Sequence, residues 1–184
     1  MSLTAGFKDS SVPAVLTSVI EHGLAFRAFH AALAPASTAW PAINRAYFVP
    51  FRVVTPLVVR EMFFQAGTTP GTTAYDLGIY DDAFNRIVSL GATSAVSTTD
   101  AVLPAGGGDV ADTSLSPGRY YMAMSSAATT LTVRASVNAN QFMRALGLQM
   151  MESAHPLPAT ATPISVGTSA FMPTIGLATV TNIL

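Results

Sequence analysis

Between Arg45 and Ser136 no apolar period lasts long. Short runs rich in Val, Phe, Tyr and Met are cut by Pro, Gly, Asp and Ser at intervals of roughly 8–12 residues. Thr73–Tyr80 alternates, with Tyr75, Leu77 and Ile79 on one face and Asp76, Gly78 and Tyr80 on the other. Arg119–Met124 repeats the pattern, with Tyr120, Met122 and Met124 facing one way. A period of two places successive side chains on opposite faces of a sheet. Brief strands at this spacing predict a mainly β fold, an antiparallel β-sandwich of jelly-roll-like form.

The strands predicted in this zone are Tyr47–Val54, Leu57–Ala66, Thr73–Tyr80, Phe84–Gly91, Arg119–Met124 and Leu131–Ala135. Pro50 and Pro56 mark breaks or edge positions, because proline cannot donate to a ladder. Gly67–Gly71, Asp81-Asp82 and Ser116-Pro117-Gly118 read as turns, and Thr93–Asp109 as a loop. The flanks differ. Val12, Val15, Leu16, Val19 and Ile20 follow helical spacing, with Leu24, Phe26, Phe29 and Leu33 continuing it less regularly, and Pro35–Pro41 marks a loop. Residues 1–44 therefore read as an arm with a helix, and 45–184 as the sandwich domain. A short helix capped by Asn138 or Asn140 is expected to present Phe142, Met143, Leu146 and Met150. His155–Pro163 is Pro-rich and extended, and Ser165–Phe171 and Leu177–Ile183 are expected as closing strands.

Charge narrows the function classes. Half the 184 residues are hydrophobic and 10% are charged, against roughly 25% in a typical domain. Eight Arg and Lys8 balance ten acidic residues to a net charge of −1. No basic excess is present to hold a nucleic-acid backbone. Without cysteine there is no disulfide framework or thiol nucleophile. The longest uncharged stretch, Ser153–Leu184, contains Pro156, Pro158, Pro163 and Pro173, which argues against a membrane helix. Lys8-Asp9 and the Pro13 break make the N-terminus a poor signal peptide, so a soluble, unprocessed chain is expected. Surfaces that avoid charge are often covered by partners. The missing charge is expected on faces toward other subunits, in Met1–Asn44 and the uncharged C-terminal segment; GC-rich codon bias is the competing explanation.

The chemistry-bearing residues are few. No G-x-S-x-G elbow, H-E-x-x-H pair or P-loop occurs. His22 and His30 sit in apolar surroundings, and His155 has no acidic neighbour beyond Glu152. Asp81, Asp82, Asp109 and Asp112 could converge on Ca²⁺, but turn chemistry explains them. The expectation is no catalytic residue, no cofactor and no metal. About half of the strand aromatics should point inward, leaving the outward half to stack on sugars or fill a subunit interface. Trp40, beside Pro41, reads as an anchor for the arm.

Four segments in order carry a resemblance: Arg45-Ala-Tyr-Phe-Val-Pro-Phe-Arg-Val53, Tyr75-Asp-Leu-Gly-Ile-Tyr-Asp81, Ser89-Leu-Gly-Ala-Thr93 and Leu115-Ser-Pro-Gly-Arg-Tyr-Tyr-Met-Ala123. Across about Trp40–Ala135 the set resembles a β-sandwich domain of tailed-bacteriophage structural proteins, including head-decoration, tail-fibre and minor tail proteins. Its motif positions here are Tyr47, Pro50, Phe51, Asp76, Gly78, Tyr80, Asp81, Pro117, Gly118, Tyr120 and Tyr121. Gly78 should leave space for a bulky neighbour or a close backbone, Gly118 should be free to take positive φ, and Tyr120 and Tyr121 should send one ring to each face. A related motif order occurs in carbohydrate-binding sandwiches, which keeps binding of a host-surface glycan open. The resemblance implies a non-enzymatic virion protein that contacts other capsid or tail proteins. A capsid decoration or cement protein, commonly a homotrimer, is favoured over a tail-tip or fibre-associated part.

Overall fold

β5 (Ala74–Asp81) and β10 (Gly118–Ser126) lie inside a sheet with two buried faces, both phases of each strand being buried over most of its length. The computed structural model describes residues 24–27, 36–69, 71–94, 102–103, 108–137, 140–166 and 171–179. The helix expected at Val12–Ile20, with His22 and His30, lies outside them. The other strands are β1 (Leu24–Arg27), β2 (Ala36–Ala39), β3 (Ala46–Val53), β4 (Leu57–Gln65), β6 (Arg86–Ser89), β7 (Thr93–Ser94), β8 (Val102–Leu103), β9 (Asp109–Leu115), β11 (Thr132–Ser136), β12 (Gln149–Met151), β13 (Ile164–Ser165), β14 (Met172–Pro173) and β15 (Ile175–Ala178). One short helix, α1, covers Asn140–Ala145.

The central sheet runs β13-β12-β3-β10-β5-β6, with β7 also on β5; a second runs β1-β15-β4-β8, with β9 also on β4; a third is β14-β11-β2. Every pairing is antiparallel among the described strands. The expected antiparallel sandwich is therefore present. The three sheets enclose one main core. The central sheet contributes Tyr47, Val49, Leu77, Ile79, Met122 and Met124, the second Val59, Met62, Phe64, Ile175 and Leu177, and the third Val133 and Ala135. Trp40 caps this core, fully buried edge-to-face on Tyr47 and Phe171, with its indole N–H donating to the Arg45 carbonyl at 3.0 Å.

In β4 the inward residues change phase: Val59 is followed by Met62 and Phe64. The register against β9 shifts between Val59 and Glu61. Across that shift β4 advances two residues and β9 four, so the extra residues lie on β9, and both apolar phases of Leu57–Ala66 are buried along β4.

Several expectations are corrected. Leu24–Arg27 is a strand pairing with β15, not a continuation of a helix. The loop placed at Pro35–Pro41 contains β2, which pairs with β11. The loop placed at Thr93–Asp109 contains β7 and β8, and Asp109–Leu115 is a strand. The helix face expected to reach Met150 stops at Ala145. The Gly147 N–H donates to the Arg144 carbonyl and the Leu148 N–H to the Met143 carbonyl, with Gly147 at φ +80°. This is a Schellman cap, which needs a left-handed residue where glycine stands. Met150 lies in β12 and Leu146 is exposed. The closing strands are shorter and displaced from Ser165–Phe171 and Leu177–Ile183. The uncharged C-terminal segment is buried within its own fold over Phe171–Ala178. There the missing charge is core composition.

Candidate functional site

The second face of the central sheet is where the sequence motifs meet. Along β3 it carries Ala46 and Phe48, along β10 Tyr121, Ala123 and Ser125, and along β5 Asp76, Gly78 and Tyr80. Residues 152–161 cross this face as a strap, touching β3, β10, β5 and β6 in the order in which the sheet arranges them. Arg45 forms an ion pair with Glu152, and the Ala154 N–H donates to the Asn44 carbonyl at 2.6 Å. Asn44 is left-handed at φ 54°, a conformation Asn tolerates. Ser125 Oγ lies 3.0 Å from His155 Nδ1. The Leu157 N–H donates to Asp76 Oδ2 at 3.0 Å, and the Tyr80 hydroxyl to the Pro158 carbonyl at 2.6 Å. Arg86 donates through its guanidinium to the Leu157 carbonyl and through its backbone N–H to the Ala159 carbonyl. The Ala161 N–H closes the set on the Phe84 carbonyl at 2.9 Å.

Beneath the strap lies a second apolar cluster of Ala46, Phe48, Tyr80, Tyr121, Ala123, Ala154, Leu157 and Ala161. Gly78 makes the fit. A Cβ there would sit 2.9 Å from Leu157 Cδ1 and 3.0 Å from the Val88 carbonyl. The space expected beside Gly78 is filled by the strap on one side and β6 on the other.

Asp76 has no exposed surface. Burial pushes its carboxyl up to about 6, against the pull of the Leu157 N–H and the Arg86 guanidinium. Its Oδ1 has no hydrogen-bond partner among the described residues, a state that suits a protonated carboxyl better than a charge. Burial also lowers the His155 pKa. Asp76 and Ser125 are cross-strand partners, so Asp, Ser and His lie together. They do not form a relay: Asp76 spends its bonded oxygen on the strap backbone, and Ser125 Oγ is sealed beneath it. The chemistry available here is clamping.

The remaining motif residues divide. Tyr47 is in the main core, and Tyr120 packs against it beside Phe51, with ring centroids 5.8 Å apart. Tyr121 faces the second cluster, so the two tyrosines take opposite faces as expected. Asp81 shapes the β5–β6 turn: its carboxylate accepts the Ala83 and Asn85 N–H groups, which hold its pKa below the usual range. Pro117 is exposed in the turn linking β9 of the second sheet to β10 of the central one. Gly118 corrects an expectation. It is a strand residue opposite Val53 without positive φ, and a Cβ would meet only ordinary contacts. Pro50 stands on the part of β3 that extends past β12, an edge position as expected. The strand aromatics on the second face, Phe48, Tyr80 and Tyr121, are buried, while Phe51 and Tyr120, packed against the main core, are half-buried.

Among the described residues, no group of three His, Cys, Asp or Glu is placed to hold a metal. Asp82 pairs instead with Arg119 and Asp112 with Arg60. No helix among them is long and apolar enough to cross a membrane. The strap contacts of Ser125, His155 and Arg86 were missed in sequence. Their signal is the absence of polar alternates in Tyr120-Tyr121-Met122-Ala123-Met124, since strands buried on both faces read as continuous apolar runs. Comparison with family models, curated proteins and solved structures finds no match for this chain.

Proposed function

We propose that the chain is a non-enzymatic structural protein of a tailed-phage particle, a decoration or cement protein that stabilises the capsid by burying surface between subunits. The observation that carries the reading is the convergence of the motif segments. Three of the four resembling segments supply β3, β5 and β10, which are adjacent in one sheet, and their polar and glycine positions Asp76, Gly78 and Asp81 serve the scaffold. A rigid sandwich with strapped faces suits a part that works through its shape. Ile43, Val54, Ile87, Val137, Leu146 and Ile164 are large apolar side chains exposed among the described residues, and they offer surface for subunit contacts.

The test is mass spectrometry and cryo-electron microscopy of particles from the phage that encodes the chain, with light scattering of the purified protein. Copies in the hundreds on the capsid, with trimers in solution, are expected. A handful of copies at the tail tip would replace decoration with a tail role. Absence from the particle would overturn the reading.

A further inference from the structure

Arg52 and Arg119 are directly opposite one another on β3 and β10, so both side chains leave the same face of the sheet. Like charges in that position repel. Arg119 is partly compensated: its guanidinium lies 5.1 Å from the Tyr121 ring centroid and its Nε 3.5 Å from Asp82. Arg52 is exposed and has no ion-pair partner among the described residues. The two arginines line an open groove of about 510 Å³ with Pro50, Phe51, Gly118 and Leu146. Leu146 is 45% exposed.

We propose that this groove is a docking site for an acidic segment of a partner protein, one that presents side-chain carboxylates to Arg52 and Arg119 beside an apolar residue on Pro50 and Leu146. Three observations select that occupant. Two guanidinium forks at adjacent cross-strand positions match carboxylates, which arginine binds in bidentate fashion. The groove is open and half apolar, and arginine beside apolar surface is the usual make-up of a protein contact. Pro50 lacks the N–H that a strand added to the β3 edge would need, so the partner docks through side chains. A sugar carboxylate is the weaker fit, because Phe48, Tyr80 and Tyr121, the aromatics on this face of the sheet, are buried. The inference stands apart from the virion reading, since it concerns what the groove binds and not where the protein resides.

The experiment is an NMR and fluorescence-anisotropy titration of the full chain with an acetylated Glu-Leu-Glu-Glu peptide. Its Gln-Leu-Gln-Gln counterpart and 3′-sialyllactose are run in parallel. The acidic peptide should shift the Arg52 and Arg119 Nε–H signals and bind more weakly as salt rises. Arg52→Gln should weaken binding about tenfold, as for loss of one charged hydrogen-bonding partner. Thermal melting of Arg52→Gln at or above the wild-type value separates this loss from misfolding. Binding of sialyllactose alone, equal binding of both peptides, or acidic-peptide binding unchanged in Arg52→Gln would each overturn the proposal.

Discussion

The two faces of the central sheet are buried by different means. The face toward the main core meets two further sheets through Tyr75, Leu77, Ile79, Met122 and Met124. The other meets a single crossing segment through Phe48, Tyr80, Tyr121 and small residues, with two hydroxyls and a carboxyl bonded to that segment. Apolar packing needs only shape. A strap paired with the sheet only at the Asn85–Thr160 bridge relies on side chains to satisfy further backbone groups, because buried N–H and C=O groups left unpaired are costly. Asp76, Tyr80 and Arg86 meet that need. The dry face should therefore dominate stability and the strapped face should set the response to pH.

The largest contrast is expected from truncation. Leu77→Ala should destabilise by ~3–5 kcal/mol in urea unfolding, as for a core cavity that cannot collapse. Leu157→Ala should cost about 2 kcal/mol, the low end of the range, because the strap can settle into the space. Equal losses would break the comparison.

Next comes pH. The carboxyl of Asp76 holds its proton more tightly folded than unfolded, with a value of about 6 against 3.8. Its contribution to stability is full below 3.8 and is lost as pH rises through 6, on the order of 2–3 kcal/mol. His155 acts in the opposite sense: its lowered pKa gives stability that is present above 6.5 and lost as pH falls through the folded value. Asp76→Asn keeps an acceptor for the Leu157 N–H and carries no charge. It should flatten the loss between pH 4 and 7, leave the acid-side loss from His155 and surpass wild type at pH 8. A melting-temperature series from pH 4 to 8 checks this, and an unchanged slope would remove Asp76 from the account.

Gly78→Ala should cost about 1–2 kcal/mol, since its Cβ would push on Leu157 and the Val88 carbonyl. Hydrogen exchange should accelerate at the Leu157 N–H while the Leu77 and Ile79 amides stay protected. The smallest effect is a gain. Arg52→Gln removes one of two opposed like charges and should stabilise by ~0.2–1 kcal/mol at low salt, a difference that shrinks as salt is added.

Strict alternation in Thr73–Tyr80 made β5, its inward side chains and the Asp81 turn legible from residues alone. Pro50 announced its edge position in the same way. The strap was not legible as a cover, because nothing local in Ala154–Ala161 specifies that it lies across four strands. Asp76 and Leu157 are 81 residues apart. Alternation said which residues share a face, and it could not say that both faces are buried. The segments before Trp40 were misread because β1 and β2 take their structure from tertiary pairing, and four-residue strands carry too little periodicity to declare themselves. The irregular β4–β9 pairing escaped for a related reason: the extra residues on β9 leave no mark in its mixed polar sequence.

The order in which the sheet and its cover are made has a further consequence. Synthesis completes β3, β5 and β10 before it reaches the crossing segment. At roughly 5–20 residues per second, translation leaves Phe48, Tyr80 and Tyr121 uncovered on the nascent chain for a few seconds. Contacts this distant in sequence also close slowly. During that interval the unfinished face is the adhesive part of the molecule, and the arrival of Leu157 over Gly78 ends its exposure.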